Sequence, residues 1–361
     1  MKNLFMFAAV ACLAIVFVAS AFARDARLDY LVNQGKVTEE EVAAAEMEGP
    51  STWMAKDAYD VYISGYAQVW WKYVDGGDPD NEFLLHHARL KIKGNLGDSW
   101  GFVISPEFAD GVALTDVGAW YNYGDGSIFV GQTKLPIALE NITSSSMLDT
   151  INRSQIADQL DRRDLGVFVD YGFLEGQVGV EAAVTNGTGT NATETNDKKD
   201  YTLRVWGKPF MGTEGPADGL LVGAAYSMGN QQELDANGVD LGDFDRTIYA
   251  ATAQWVYEGI KVQGEYVNVD QDLAGGGSNG TDGWYALASY DLPVDSMVVT
   301  PVAKYEVLDG DVVEDGTWIT LGVRISFVGT HDVKLDANYI LEDLDTGEDV
   351  DEFILQLQAS F

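Results

Sequence analysis

The chain has 361 residues, with 57 acidic side chains against 22 basic ones and a formal net charge of -35. Such a balance disfavours contact with bare nucleic acid. Beyond the first two dozen residues no apolar run approaches the roughly 18 a membrane helix needs; this excludes a helical membrane protein, but not strands that cross in about 9–11 residues.

Lys2 supplies a short positive segment, Leu4 to Val18 an apolar run, and Ala21-Phe22-Ala23 a small-x-small cleavage site. Together they predict a secretory signal over residues 1–23. Cys12, the chain's single cysteine, leaves with it, so no disulfide, thiolate metal site or cysteine nucleophile is expected. Residues 24–57 read differently: Leu28, Leu31 and Val32 share a helical face, and Thr38 precedes Glu41 by three, a capping box. They predict a short periplasmic helical segment, either an oligomer contact or a loosely attached arm.

From residue 58 the period becomes two. Tyr59, Val61, Ile63, Ala67, Val69, Trp71 and Tyr73 point one way; Tyr62, Ser64, Tyr66, Gln68 and Lys72 point the other. Leu84, Ala88, Leu90 and Ile92 then oppose His87, Arg89, Lys91 and Lys93, and Leu321, Val323, Ile325 and Phe327 oppose Thr320, Arg324 and Ser326. Sixteen such segments fit within residues 58–361. Tight connections, as at Gly97, Asp125 and Glu258, alternate with longer polar ones, as at 134–163, 186–199 and 229–243.

An even strand number with alternating short and long connections is what a bacterial outer-membrane barrel requires. In hydrocarbon no sheet edge can stay open, so the last strand must pair with the first. A soluble sandwich would turn the same apolar face inward. Three features favour the membrane: the export signal, a chain that ends on Phe361 directly after a strand, and aromatics near strand ends. The last include Trp71, Tyr73, Trp255, Tyr257, Trp284, Tyr285 and Trp318. The expected fold is all-β: a 16-stranded antiparallel transmembrane barrel of the outer membrane, in contact with lipid.

Basic residues on the inward face are Arg89, Lys91, Lys93, Arg204, Lys208, Lys261, Lys304, Arg324 and Lys334. Asp170, Glu181, Glu265, Glu306, Asp332, Asp336 and Glu342 also read inward, and the outer loops are acidic. Two readings stand together: a basic lower channel that concentrates anions, or bases paired to acids on neighbouring strands. The longest connection, 134–163, is too long to be a plain link. It carries Lys134, Arg153, Arg162 and Arg163, and is expected to fold into the lumen as a constriction. Arg163 and Asp164, where a strand restarts, read as its anchor.

The segments GQTKLPIALE (Gly131 to Glu140), TSSS, INRS (Ile151 to Ser154) and RRDLGV (Arg162 to Val167) resemble the phosphate-selective porin O and P family. The resemblance implies a homotrimer of sixteen-stranded barrels whose third extracellular loop folds inward, with bases guiding phosphate through each pore. Lys134, Arg153, Arg162 and Arg163 match its motif region, with a pore or loop-anchoring role.

The expected function is passive diffusion of small hydrophilic solutes or ions, anions such as phosphate among them. The alternative is a structural outer-membrane barrel or adhesin whose acidic loops bind cations; steady single-channel conductance separates the two. An enzyme is not expected. His86 and His87 are adjacent and should face opposite ways, His331 stands alone, and no catalytic triad order or metal-ligand spacing is present. No cofactor or metal is implied.

Overall fold

The computed structural model describes residues 59–77, 79–160, 163–194, 196–234, 240–273, 276–327, 333–345 and 350–361. The signal, the 24–57 segment, Arg162, His331 and Asp332 lie outside them. The chain divides into two units, one of residues 1–61 with 95–98 and one of residues 62–94 with 99–361. What is described of the first is strand ends and a turn; the second carries the barrel.

Alternating β-branched and aromatic residues favour extended backbone, and the described chain is mostly strand. In order they are β1 (Tyr59–Val74), β2 (Asn81–Leu96), β3 (Trp100–Glu107), β4 (Ala113–Tyr123), β5 (Gly126–Lys134) and β6 (Arg163–Phe173). Next come β7 (Val178–Thr185), β8 (Asp200–Gly207), β9 (Leu220–Leu234), β10 (Asp240–Tyr257), β11 (Ile260–Asp272) and β12 (Ser278–Tyr290). The last are β13 (Leu292–Val294), β14 (Met297–Gly310), β15 (Gly316–Ser326), β16 (Val333–Leu344) and β17 (Glu352–Ser360). The three-residue β13 only extends one hairpin, so β12 pairs directly with β14 and sixteen strands form the wall.

Closure is direct: β17 runs antiparallel to β1, from Tyr66 opposite Ser360 to Val74 opposite Glu352. The result is a closed sixteen-stranded antiparallel barrel. The alternation sorts as expected for a polar interior. On β15, Thr320, Arg324 and Ser326 are buried, whereas Leu321 is 52% exposed on the outer face.

Four details depart from the sequence reading. The polar stretch 229–243 is not one long loop, because β9 runs to Leu234 and β10 starts at Asp240. Past the apolar band both hairpin faces meet water, so polarity there does not mark a loop. Tyr285 and Trp318 do not belong to an outer girdle; they point inward, 1% and 5% exposed, bonded to Glu265 and Glu342. His86 and His87 do not face opposite ways. His86 stacks on inward Trp70 at 3.6 Å, while His87 meets inward Tyr66 edge-on at 5.8 Å. Two successive side chains on one face indicate a β-bulge, which moves Leu84 to the inner side. Finally, the interior is not uniformly polar: inward Ile248, Val267, Leu308, Ile340 and Ile354 form an apolar cluster within the barrel.

Candidate functional site

What covers that cluster is the connection after β5. It forms two single turns of helix, α1 (Leu139–Ile142) and α2 (Gln155–Asp158), with a 3-10 turn at Ser145–Met147 between them. Ser154 caps α2, its side chain accepting the Ala157 N–H. Leu135, Ile137, Ile151, Ile156 and Leu160 of this connection pack against the inner apolar patch. Leu135, Asn141 and Ser154 are fully buried. This connection therefore packs on the inner face of the wall, and the hydrophobic effect holds it there. Ile156→Ala should weaken its seat by about 2–5 kcal/mol. Limited proteolysis of the folded protein in detergent checks this, with new cleavage expected between residues 135 and 160.

Polar contacts fix where the loop sits. The backbone N–H groups of Leu139 and Glu140, at the start of α1, donate to the Glu265 carboxylate of β11, the second at 2.8 Å. Gln155 N–H, at the start of α2, donates to Glu306 of β14 at 2.8 Å. Ile151 N–H donates to Asn338 Oδ1 of β16 at 2.7 Å. Lys304 Nζ reaches Asn152 O at 3.2 Å, and the Arg324 guanidinium reaches the carbonyls of Leu148 and Asp149. Gln68 of β1 and Gln358 of β17 donate to Ser145 O and Ser146 O, each at 3.3 Å. Free helix-end N–H groups need acceptors, and the wall carboxylates supply them. The loop thus leans on the β11–β17 side and β1.

The other side stays open. A cavity of about 860 Å³ is bordered by β1 to β8 and, from the loop, by Pro136, Ile142, Ser144, Ser146 and Met147. Of the residues expected at the constriction, Arg163 and Lys134 border this cavity. Arg163 Nε pairs with Asp116 of β4 at 2.9 Å. Lys134 Nζ donates to Asn141 O at 2.5 Å and to Thr143 O at 3.4 Å. Arg153 is not at the pore surface: it is 7% exposed and donates to Glu140 O, Thr143 O and Ser145 Oγ. Arg153→Gln should consequently loosen the loop and leave ion preference little changed, a split read from reversal potential against current noise.

For the wall bases the pairing reading prevails. Arg89 meets Glu107 at 3.1 Å, Arg204 meets Glu181 at 2.9 Å, Lys261 meets Asp149 at 2.5 Å, and Lys304 meets Glu306 at 3.0 Å. Arg324 and Lys334 share Asp336 at 2.6 and 3.6 Å. Lys91 and Lys93 remain exposed; Lys93 stands 5.0 Å over the Trp120 ring, and Lys91 borders the cavity. Lys208 is not on the wall, because β8 ends at Gly207 and leaves it in the turn. The sequence reading saw Glu265 and Glu306 as inward acids but missed their role as loop acceptors. Their partners lie 125 to 151 positions away, and no local pattern encodes that. Among the described residues no cluster of His, Cys, Asp and Glu could hold a metal ion.

The family model described as Phosphate-selective porin O and P matches residues 64–307. No curated protein matches the sequence. Among solved structures, the trimer form of OmpT from Vibrio cholerae is similar with a TM-score of 0.61 at 14% identity, over 84% of this chain and 100% of that one. An anion-selective porin from Comamonas acidovorans gives 0.59 at 14% identity, over 84% and 100%. The outer membrane channel DcaP of Acinetobacter baumannii gives 0.60 at 14% identity, over 85% and 99%. At such identities these structures speak for the fold.

Proposed function

The chain belongs to the phosphate-selective porin O and P family, and from that premise we propose that this outer-membrane porin passes small hydrophilic anions preferentially through the cavity beside its third loop. The supporting observation is Lys91, which stands exposed at that cavity; Arg89, Lys134 and Arg163 also border it, Arg89 and Arg163 each paired to an acid. The acids that also border it are placed differently. Asp116 and Glu181 are engaged by Arg163 and Arg204. Asp125 lies in the β4–β5 turn, and Asp170 accepts a hydrogen bond from Ser127 beside it.

Passage involves no chemical step. Rate and preference follow from the width left by the loop and from fixed charge, with each contact weak enough for release. Bases in a low-dielectric wall raise the local anion concentration, while the acidic outer loops slow anion entry. The test is the reversal potential of the reconstituted protein under a KCl gradient. Chloride preference is expected; potassium preference overturns the anion assignment and leaves the porin.

The assembly we propose is a homotrimer, supported by the trimer form of the similar OmpT structure. Native mass spectrometry in detergent should give three times the mass of the mature chain, and a monomer at every protein concentration refutes it.

A further inference from the structure

Phosphate needs only charge and hydrogen bonds, yet the cavity carries something more. Phe129 of β5 and Phe168 of β6 border it as an edge-to-face pair with ring centroids 5.9 Å apart; Phe168 is only 9% exposed and packs in the inner apolar cluster, so Phe129 offers the larger free face. Trp206 of β8 borders it too, its ring lying over Gly179 of β7, where a Cβ would meet the indole at 2.3 Å. The Trp206 Nε1–H donates to Glu181 at 3.0 Å, which satisfies its one polar atom and fixes the ring. From the loop, Ile142 and Met147 border the same cavity, and Met147 stays 48% exposed although the rest of the loop's apolar side chains are largely buried.

An apolar strip in a water-filled channel gains nothing from a hydrated inorganic ion, and apolar narrowing of a pore raises the cost of wetting it. It does gain from a solute with an apolar body, which leaves water as it slides along the rings. Lys91 and Arg163 stand at the same cavity. An ammonium and a guanidinium both hold a carboxylate by charge-assisted hydrogen bonds.

We infer that the cavity beside the third loop favours organic anions that carry an aromatic body behind a carboxylate, over small aliphatic carboxylates and inorganic phosphate. This rests on the anion preference proposed above. The aromatic strip supplies recognition for the body, the bases recognise the charge, and neither contact is strong enough to trap the solute.

The probes are potassium benzoate, acetate and phosphate, each run as a salt gradient across planar bilayers holding the full-length mature protein, with KCl as reference. A sieve acting on size alone passes acetate faster than benzoate. The expected result inverts that order, with a benzoate-to-acetate permeability ratio of about three and phosphate below both. In the Phe129→Ala, Met147→Ser double variant the ratio should fall to one or less. It is read within one channel, so any variant that conducts reports it; Met147→Ser alone, at an exposed loop position, should lower it partway if the double variant does not fold. A wild-type ratio of one or less with chloride preference intact overturns this inference alone. Potassium preference in KCl overturns it together with the anion reading. A ratio that survives both substitutions shows that the strip is not what recognises the solute.

Discussion

Replacing Glu265 with alanine should turn a steady channel into one that flickers and closes. The substitution leaves the Leu139 and Glu140 N–H groups at the start of α1 without acceptors, and strands the hydroxyls of Thr252 and Tyr285, which also donate to this carboxylate. Buried donors left unmet cost about 1–3 kcal/mol each, enough to compete with the apolar contacts that seat the loop. A loop released from the β11 side has one place to go, the open cavity along β1 to β8. Single-channel recording should show brief steps to lower conductance that the parent protein lacks. Unbroken current with parental amplitude would mean that the carboxylate does not position the loop.

The second large effect should come from Lys91→Glu. Lys91 is exposed at the cavity and has no carboxylate within ion-pair distance among the described residues. A unit charge near the path of a passing ion is worth on the order of 1 kcal/mol at intermediate dielectric and physiological salt. Neutralising it should lower anion permeability about fivefold and raise cation permeability by a similar factor, and reversing it should double both changes in free energy, moving the reversal potential towards that of potassium. An unchanged potential would place Lys91 outside the conduction path. Lys304 should behave otherwise. It is 2% exposed and paired to Glu306, so Lys304→Met leaves a buried carboxylate uncompensated, at about 3–5 kcal/mol. Loss of folded protein is the expected reading there, with ion preference little altered in what survives.

These contrasts show why counting inward bases did not identify the conducting ones. Arg324 and Lys91 are both basic residues on inward strand positions. The first is buried against Asp336 and two loop carbonyls, and the second faces water. Strand periodicity gives the face of the sheet and says nothing about what lies across the lumen. The same gap explains Arg153, which reads as a constriction residue in a loop rich in charge but spends its donors on the loop's own oxygens. It also explains His86 and His87: a bulge inserts one residue without a signature in the pattern.

What the sequence determined by itself is the sheet. A two-residue period repeated through sixteen segments, with short and long connections in alternation, requires a closed wall once its apolar face meets lipid, because no backbone group there can go unpaired. The motif from Gly131 to Val167 also marked the connection that packs against the inner apolar cluster. What only the tertiary structure decided is which charges remain available to a solute and which half of the lumen the loop occupies. Both depend on contacts such as Ile151 with Asn338, 187 positions apart. Closure places such residues side by side, and the energy of each pair depends on a burial that exists only once the loop is inside.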